Sequence, residues 1–250
     1  MGHNLNLLLL EKEELWGDEA VIYDRRAEHL LNILQVEPGS VVRLGLIGGN
    51  VGTGTVLAIE KKAVRLQVSL KQEPVRPPHI ELILALPRPI MLKRVLKQGT
   101  VLGVRHFHLI RSRRVEKSFF ASPALQPDKV RASLLEGMEQ AMDTWLPEVH
   151  IHRQFKPFIE DVLPTLKGQG LIAHPTATSC LLTAYSTFAQ KGPLILSIGP
   201  EGGWSDFEVD AFIQKGFKPF SMGSRILHVD TAVVALMAQL NLLYTLRENR

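Results

Sequence analysis

From Val41 to Leu70 apolar and polar positions alternate in short β-rich runs, Val41 to Ile47, Gly52 to Ile59 and Val64 to Leu70. Gly48-Gly49-Asn50 and Lys61-Lys62 break them, and a period of two between turn residues predicts the hairpins of a small barrel. Upstream, Leu30, Ile33 and Leu34 share one face of a helix expected over Arg25 to Leu34, and Pro38-Gly39 ends that segment. Three prolines in Glu73-Pro74-Val75-Arg76-Pro77-Pro78 favour an extended path and mark a linker. Two domains are therefore expected, residues 1–73 and 74–250.

Beyond the linker the pattern changes to alternating strands and helices, which argues for an α/β domain with a largely parallel sheet. Ile80 to Leu86, Phe107 to Ile110, Leu171 to His174, Leu194 to Ile198 and Phe217 to Met222 read as strands. Met91 to Leu102 reads as a helix, and so does Asp128 to Thr144, with Val130, Leu134, Leu135, Met138 and Ala141 on one face. The stretch after Asp230 is apolar on nearly every side, so a helix there is expected to be buried on all faces, in a core or a subunit interface.

Composition narrows the function classes. The 250 residues, 45% hydrophobic and 22% charged with 19 Gly and 15 Pro, are those of an ordinary globular chain. A single cysteine, Cys180, excludes an intramolecular disulfide framework, so a reducing cytoplasm is expected. The most apolar segment, Thr231 to Leu246, is interrupted by Gln239 and Asn241 and falls short of the ~20 residues needed to cross a bilayer, so no membrane span is expected. The leucine run at the N-terminus meets Glu11, Lys12, Glu13 and Glu14 with no basic region before it, unlike a signal peptide.

The net charge of +4 is unevenly placed. Residues 75–120 hold 10 Lys and Arg against 2 Asp and Glu, while the rest of the chain holds 19 against 23. This stretch is either a phosphate-binding face or a solvated surface that happens to be basic. Candidate RNA contacts are Arg88, Lys93, Arg94, Arg111, Arg113, Arg114 and Lys117.

Three loops carry candidate chemistry, each at the end of an expected strand. In the first, Leu194 to Ile198 runs into Gly199-Pro200-Glu201-Gly202-Gly203-Trp204, and Ser205 with Glu208 forms a capping box for the next helix. Glycines at a strand's carboxyl end let a ligand approach the main chain, although a tight turn without a ligand reads the same way. The second loop, Met222-Gly223-Ser224-Arg225-Ile226-Leu227, offers Arg225 either as a surface charge or as a phosphate clamp. The third is His174-Pro175. Neither the dinucleotide spacing Gly-x-Gly-x-x-Gly nor a P-loop Lys-Ser/Thr occurs here, which disfavours nicotinamide dehydrogenases and nucleotide triphosphatases. His106 with His108, and His150 with His152, share strand faces at i, i+2 without a matching Cys or carboxylate cluster, so no metal is expected.

Taken in order and spacing, His174-Pro175, Ile198-Gly199-Pro200-Glu201-Gly202-Gly203 and Gly223-Ser224-Arg225-Ile226-Leu227 resemble the trefoil-knot (SPOUT) RNA methyltransferases. More narrowly, they are similar to the ribosomal RNA small subunit methyltransferase E family, which methylates uracil N3 in 16S rRNA. The resemblance covers essentially the whole chain. It implies a PUA-like β-barrel RNA-binding domain followed by an α/β trefoil-knot domain, a homodimer, S-adenosyl-L-methionine as cofactor, and 16S rRNA or the small ribosomal subunit as partner. Carried over by motif, His174, Gly199, Gly202, Met222, Gly223, Ile226 and Leu227 would meet the cofactor, largely through main-chain groups.

The sequence also departs from that family. Asn4-Leu5-Asn6-Leu7-Leu8-Leu9 stands where an Arg-rich start is usual, and Lys97 to Val104 lacks the usual Lys and Glu. His228 and Asp230 replace Arg and Glu, and Ala141-Met142-Asp143 follows Glu139-Gln140 in place of Cys-Gly-Arg. The chain therefore reads as a variant branch. Uracil N3 carries a proton at neutral pH, so its methylation needs a base or a stabiliser of the resulting anion. Arg225 is the candidate stabiliser of that charge or of the target phosphate. Glu201 is the candidate base, or equally a loop-structuring carboxylate, and Asp230 is expected to be a helix N-cap. The alternatives are attack by another RNA atom, such as a ribose 2′-hydroxyl, and a catalytically silent rRNA-binding factor, which the departures at Val101, His228 and Asp230 motivate.

Overall fold

Six strands of a mixed sheet surround the first hydrophobic core in the computed structural model, which describes residues 6–75, 79–188 and 192–248. These are β1 (Leu8–Leu10), β2 (Leu15–Trp16), β3 (Glu19–Ile22), β4 (Val41–Leu46), β5 (Val51–Glu60) and β6 (Ala63–Gln72), in the spatial order β1-β4-β5-β6-β3-β2. β4, β5 and β6 are the expected antiparallel hairpins. β1 was not expected: its leucines pair in parallel with β4. Helix α1 (Arg25–Asn32) starts at Asp24, whose side chain accepts from the Arg26 N–H, and it buries Ala27 and Leu30 in the same core.

The chain divides by its contacts into two units, residues 1–76 with 135–146 and residues 77–134 with 147–250. The segment 135–146 thus joins the first unit, which a boundary at residue 73 does not anticipate. Buried Glu139 there accepts two hydrogen bonds from Arg25, at 2.6 and 3.4 Å, and the Thr144 hydroxyl donates to the Gly49 carbonyl at 2.6 Å. Of the expected linker and basic stretch, residues 76–78 lie outside the described residues, as do residues 1–5 of the N-terminal segment.

The second unit is a six-stranded sheet, parallel throughout, in the order β12-β10-β11-β7-β8-β9. Along the chain its elements are β7 (Ile80–Ala85), α2 (Pro89–Val101), β8 (Val104–Ile110), the first half of α3 (Pro127–Ala141), whose residues from 135 on belong to the first unit, β9 (Glu148–His152) and the single turn α4 (Phe155–Pro157). Then come β10 (Gln169–Ala173), α5 (Leu181–Ser186), β11 (Leu194–Ile198), α6 (Asp206–Gln214), β12 (Lys218–Phe220) and α7 (Val229–Glu248). β7 and β11 are buried at every position, as central parallel strands covered on both faces must be, and their near-continuous apolar runs follow from that.

Helix α7 is 20 residues long, and its segment Val229–Arg247 is long and apolar enough to cross a membrane by length and composition alone. Within one copy of the chain it is buried along one side. Val233, Leu236, Met237 and Leu240 pack inward, where α7 meets α2 and β11, while Leu242 and Leu246 are more than half exposed.

Candidate functional site

The loops leaving β10, β11 and β12 meet because those strands are neighbours and run in one direction, so their carboxyl ends lie at one edge of the sheet. Together they wall an open cleft with a cavity volume of about 130 Å³. Two contacts fix the first and third loops to each other: the Ser221 N–H donates to the Ser179 carbonyl at 2.8 Å, and Cys180 forms a parallel bridge with Ser221. The turn of the second loop closes through the Gly203 N–H on the Pro200 carbonyl at 2.8 Å. Gly203 at φ +73° and Gly223 at φ +103° occupy the left-handed region, where a side chain would be strained.

Of the candidate residues, His174, Gly199, Met222, Gly223, Ile226 and Leu227 all line this cleft, and so do Arg225 and Glu201. Gly202 does not. It faces away, and its carbonyl accepts from the Arg114 guanidinium, which also reaches the carbonyls of Gly203 and Trp204 at 3.5 and 3.4 Å. The Arg114 side chain therefore acts as a brace behind the loop. Trp204, at the end of the same loop, is buried at 3% exposure and lines the cleft.

The cleft is mostly apolar but contains two unmatched polar atoms. Trp204 Nε1 and His174 Nδ1 are both buried, and neither has a hydrogen-bond partner among the described residues. A buried indole N–H without an acceptor costs about 1–3 kcal/mol, a deficit that a ligand acceptor placed there would remove. Exposed Arg225 and Ile226 flank the opening. Glu201 lies 4.0 Å from Arg88 Nε, a long ion pair that leaves its carboxylate accessible.

The capping box of α6 is present, and its carboxylate does more than cap. Buried Glu208 accepts from the Ser205 N–H and hydroxyl, both at 2.9 Å, and also from the Arg113 N–H at 2.7 Å and the Ser112 hydroxyl at 3.3 Å. Glu208 thus anchors the basic loop 111–114 to the helix that follows the cleft loop. The bonds from Arg113 and Ser112 span 95 and 96 residues of chain, so periodicity and capping rules give no sign of them.

Asp230 is not the N-cap of α7. The His228 carbonyl accepts the first helical hydrogen bond, from Ala232 at 2.8 Å, and Asp230 sits one residue inside the helix, paired with Arg94 at 2.8 Å. Burial opposes the ionisation of Asp230. The hydrogen bond and charge of Arg94, with the Thr231 N–H, outweigh that cost and hold the carboxyl below the usual carboxylate range. Arg94 is thereby committed to this pair. Arg88, Lys93, Arg113, Arg114 and Lys117 are exposed, and Arg111 is half-buried beside Arg113, Phe155, Lys156 and Phe207 in a second, open groove.

Residues 74–241 match the family model of the RNA methyltransferase domain. Over 241 residues the chain is 31% identical to the ribosomal RNA small subunit methyltransferase E of Treponema pallidum (strain Nichols), covering 94% of this chain and 90% of that protein. The chain belongs to the ribosomal RNA small subunit methyltransferase E family. A methyltransferase E relative from Synechocystis sp. is 25% identical over 94% of this chain and 77% of its own length. The fold is shared with the methyltransferase E of Neisseria gonorrhoeae crystallised with S-adenosyl methionine, at TM-score 0.79 and 21% identity, over 96% of this chain and 98% of that one.

Proposed function

We propose that this chain transfers a methyl group from S-adenosyl-L-methionine to uracil N3 of 16S rRNA in the small ribosomal subunit. The observation that carries the reading is the three-loop cleft, lined among others by Gly199, Met222, Gly223 and Leu227 and by Trp204 and His174, whose Nε1 and Nδ1 are buried and unpartnered among the described residues. That combination of apolar walls and a few unmatched polar atoms suits a molecule with an adenine ring and polar ends. When bound, the cofactor supplies an electrophilic methyl group on a sulfonium. His174, Gly199, Met222, Gly223, Ile226 and Leu227 hold it, and Gly202 contributes through the loop that Arg114 braces.

The remaining work falls to residues at the cleft mouth. Glu201 takes the proton from uracil N3, and Arg225 stabilises the negative charge left on the base or holds the target phosphate. Positioning of the attacking nitrogen supplies much of the rate. Arg88, Lys93, Arg111, Arg113, Arg114 and Lys117 draw the rRNA backbone, with Arg94 contributing charge from its pair with Asp230. The first unit serves as a PUA-like RNA-binding barrel, and the second threads a trefoil knot. The apolar flank of α7, with Leu242 and Leu246, pairs two copies into a homodimer that works in the cytoplasm, off the membrane.

Radiolabelled S-adenosyl-L-methionine, the full chain and small subunits lacking the modification test this reading directly. Digestion of the rRNA to nucleosides and chromatography should place the label in 3-methyluridine. Label in a ribose-methylated nucleoside would move the reaction to a 2′-hydroxyl. No label, together with no cofactor binding at millimolar concentration by calorimetry, would leave an rRNA-binding factor without catalysis.

A further inference from the structure

Five of the chain's nine histidines gather away from the cleft, at the β7, β8 and β9 side of the sheet: His79, His106, His108, His150 and His152. Sequence spacing offered two i, i+2 pairs without acidic partners. The sheet register supplies those partners, because Glu148 on β9 stands opposite His106 on β8, and Glu81 on β7 also stands beside His106. The rings stack across the strands, with centroids 5.7 Å apart for His79 and His106, 5.1 Å for His108 and His150, and 5.5 Å for His108 and His152.

The two carboxylates sit in different surroundings. Glu81 is buried and bridges His79 at 3.3 Å and His108 at 3.2 Å, and the other ring nitrogen of His108 lies 3.2 Å from His152. That cluster is closed, with both nitrogens of His108 already engaged. Glu148 is open. One of its oxygens lies 3.2 Å from His150 Nε2 and 3.8 Å from His106 Nδ1, all three side chains reach solvent, and their donor atoms lie within 4.8 Å of one another.

We propose that His106, Glu148 and His150 form a binding site for a divalent ion of the zinc class, held by two imidazole nitrogens and one carboxylate oxygen with its remaining position open to water. This donor set is the one borderline ions such as Zn²⁺ and Ni²⁺ prefer, whereas Mg²⁺ and Ca²⁺ select oxygen alone. Bonds of about 2.0–2.2 Å to a tetrahedral ion place its ligand atoms roughly 3.3–3.5 Å apart. The two separations from the carboxylate oxygen, 3.2 and 3.8 Å, bracket that value, and all three donor atoms lie within 4.8 Å of one another, so a closing shift of the widest pair, within reach of side-chain rotation, completes the site. The ligands stand on two hydrogen-bonded strands, which fixes their spacing better than a loop would. β9 is the terminal strand of its sheet, paired only with β8, so a bound ion cross-links the edge to its one neighbour.

Zn²⁺ competition against a chromophoric chelator near neutral pH tests the site on the full chain and on His150→Ala, Glu148→Gln and His152→Ala, with thermal unfolding of each. The expected result is one equivalent bound with micromolar or tighter affinity by the parent and by His152→Ala. Affinity should be at least about 10-fold weaker in the other two variants. Zn²⁺ should also raise the melting temperature of the parent, and not that of Glu148→Gln, whose exposed conservative change leaves the fold intact. Absence of stoichiometric binding by the parent, or equal affinity in Glu148→Gln, overturns the proposal. So does a loss confined to His152→Ala, which would place the ion in the buried cluster.

Discussion

Gly199 lies so close to Trp204 that a methyl group on its Cα would stand 3.1 Å from the indole nitrogen. The absence of a side chain at Gly199 is therefore what allows Trp204 to form the cleft wall with its N–H edge. Gly199→Ala should push the ring by a few tenths of an ångström and displace the unmatched donor. Calorimetry should show S-adenosyl-L-methionine binding about 10-fold weaker, or ~1.4 kcal/mol, with the melting temperature little changed. Unaltered affinity would remove the Trp204 edge from the site.

The four donors converging on Glu208 make it the most heavily bonded carboxylate of the cleft region. Glu208→Ala leaves the Ser205, Ser112 and Arg113 groups without their acceptor in a buried place. Urea denaturation should show a loss of about 2–4 kcal/mol. Trypsin should also cut faster after Arg111, Arg113 and Arg114, because their loop loses its anchor. A loss under about 0.5 kcal/mol would mean that water replaces these bonds at no cost.

The Arg94 and Asp230 pair predicts a pH dependence of definite sign. Asp230 is a carboxyl whose folded pKa lies below its ordinary value of 3.8, so the unfolded chain binds its proton more readily than the native one does. Its contribution to stability is complete above that ordinary value and is lost as pH falls through the lower folded value. Arg94→Gln should remove it. The stability difference between parent and variant, under about 1 kcal/mol because the Arg94 side chain is 65% exposed, should hold from neutral pH down towards the ordinary carboxylate value of 3.8 and shrink as pH falls further below it. A difference that persists in strong acid would show that the two side chains interact by packing rather than charge.

The basic loop offers a test that spares the brace. Reversing Arg114 would also release the carbonyls of Gly202, Gly203 and Trp204. Arg111→Glu, Arg113→Glu and Lys117→Glu together leave that brace in place. RNA binding by the triple variant should weaken, and the slope of log affinity against log salt should fall by about 2–3, with cofactor affinity unchanged. An unchanged slope would show that the rRNA backbone passes elsewhere.

Several elements were legible in the sequence for identifiable reasons. β7 and β11 read as strands because parallel strands covered on both faces are near-continuous apolar runs, and Ser205 with Glu208 announced the start of α6. β1 was missed for the converse reason. Leu8 and Leu10 enter one core while Leu7 and Leu9 pack with Met138 in another, so the alternation that identifies a half-buried strand is erased. Apolar residues on every side of α7 mark core for Leu236 and Leu240 but leave Leu242 and Leu246 uncovered, and hydropathy cannot separate the two. Two of the cleft loops could be named from their glycines and the third from His174-Pro175. Their meeting, the brace from Arg114, and the placing of Glu148 beside His106 and His150 all depend on strand order and register, which spacing along the chain does not encode.

The order of strands has a consequence for biosynthesis. The cleft takes its walls from residues 173–175, 198–204 and 220–236, all in the last third of the chain. A polypeptide stalled after Trp204 has two walls and an open side, and it gains the third only when β12 and the start of α7 have left the exit tunnel. The pocket therefore comes into being only once that third loop has emerged, and a small molecule that occupies it can stabilise the folded protein but not nascent chains that stop short of that loop.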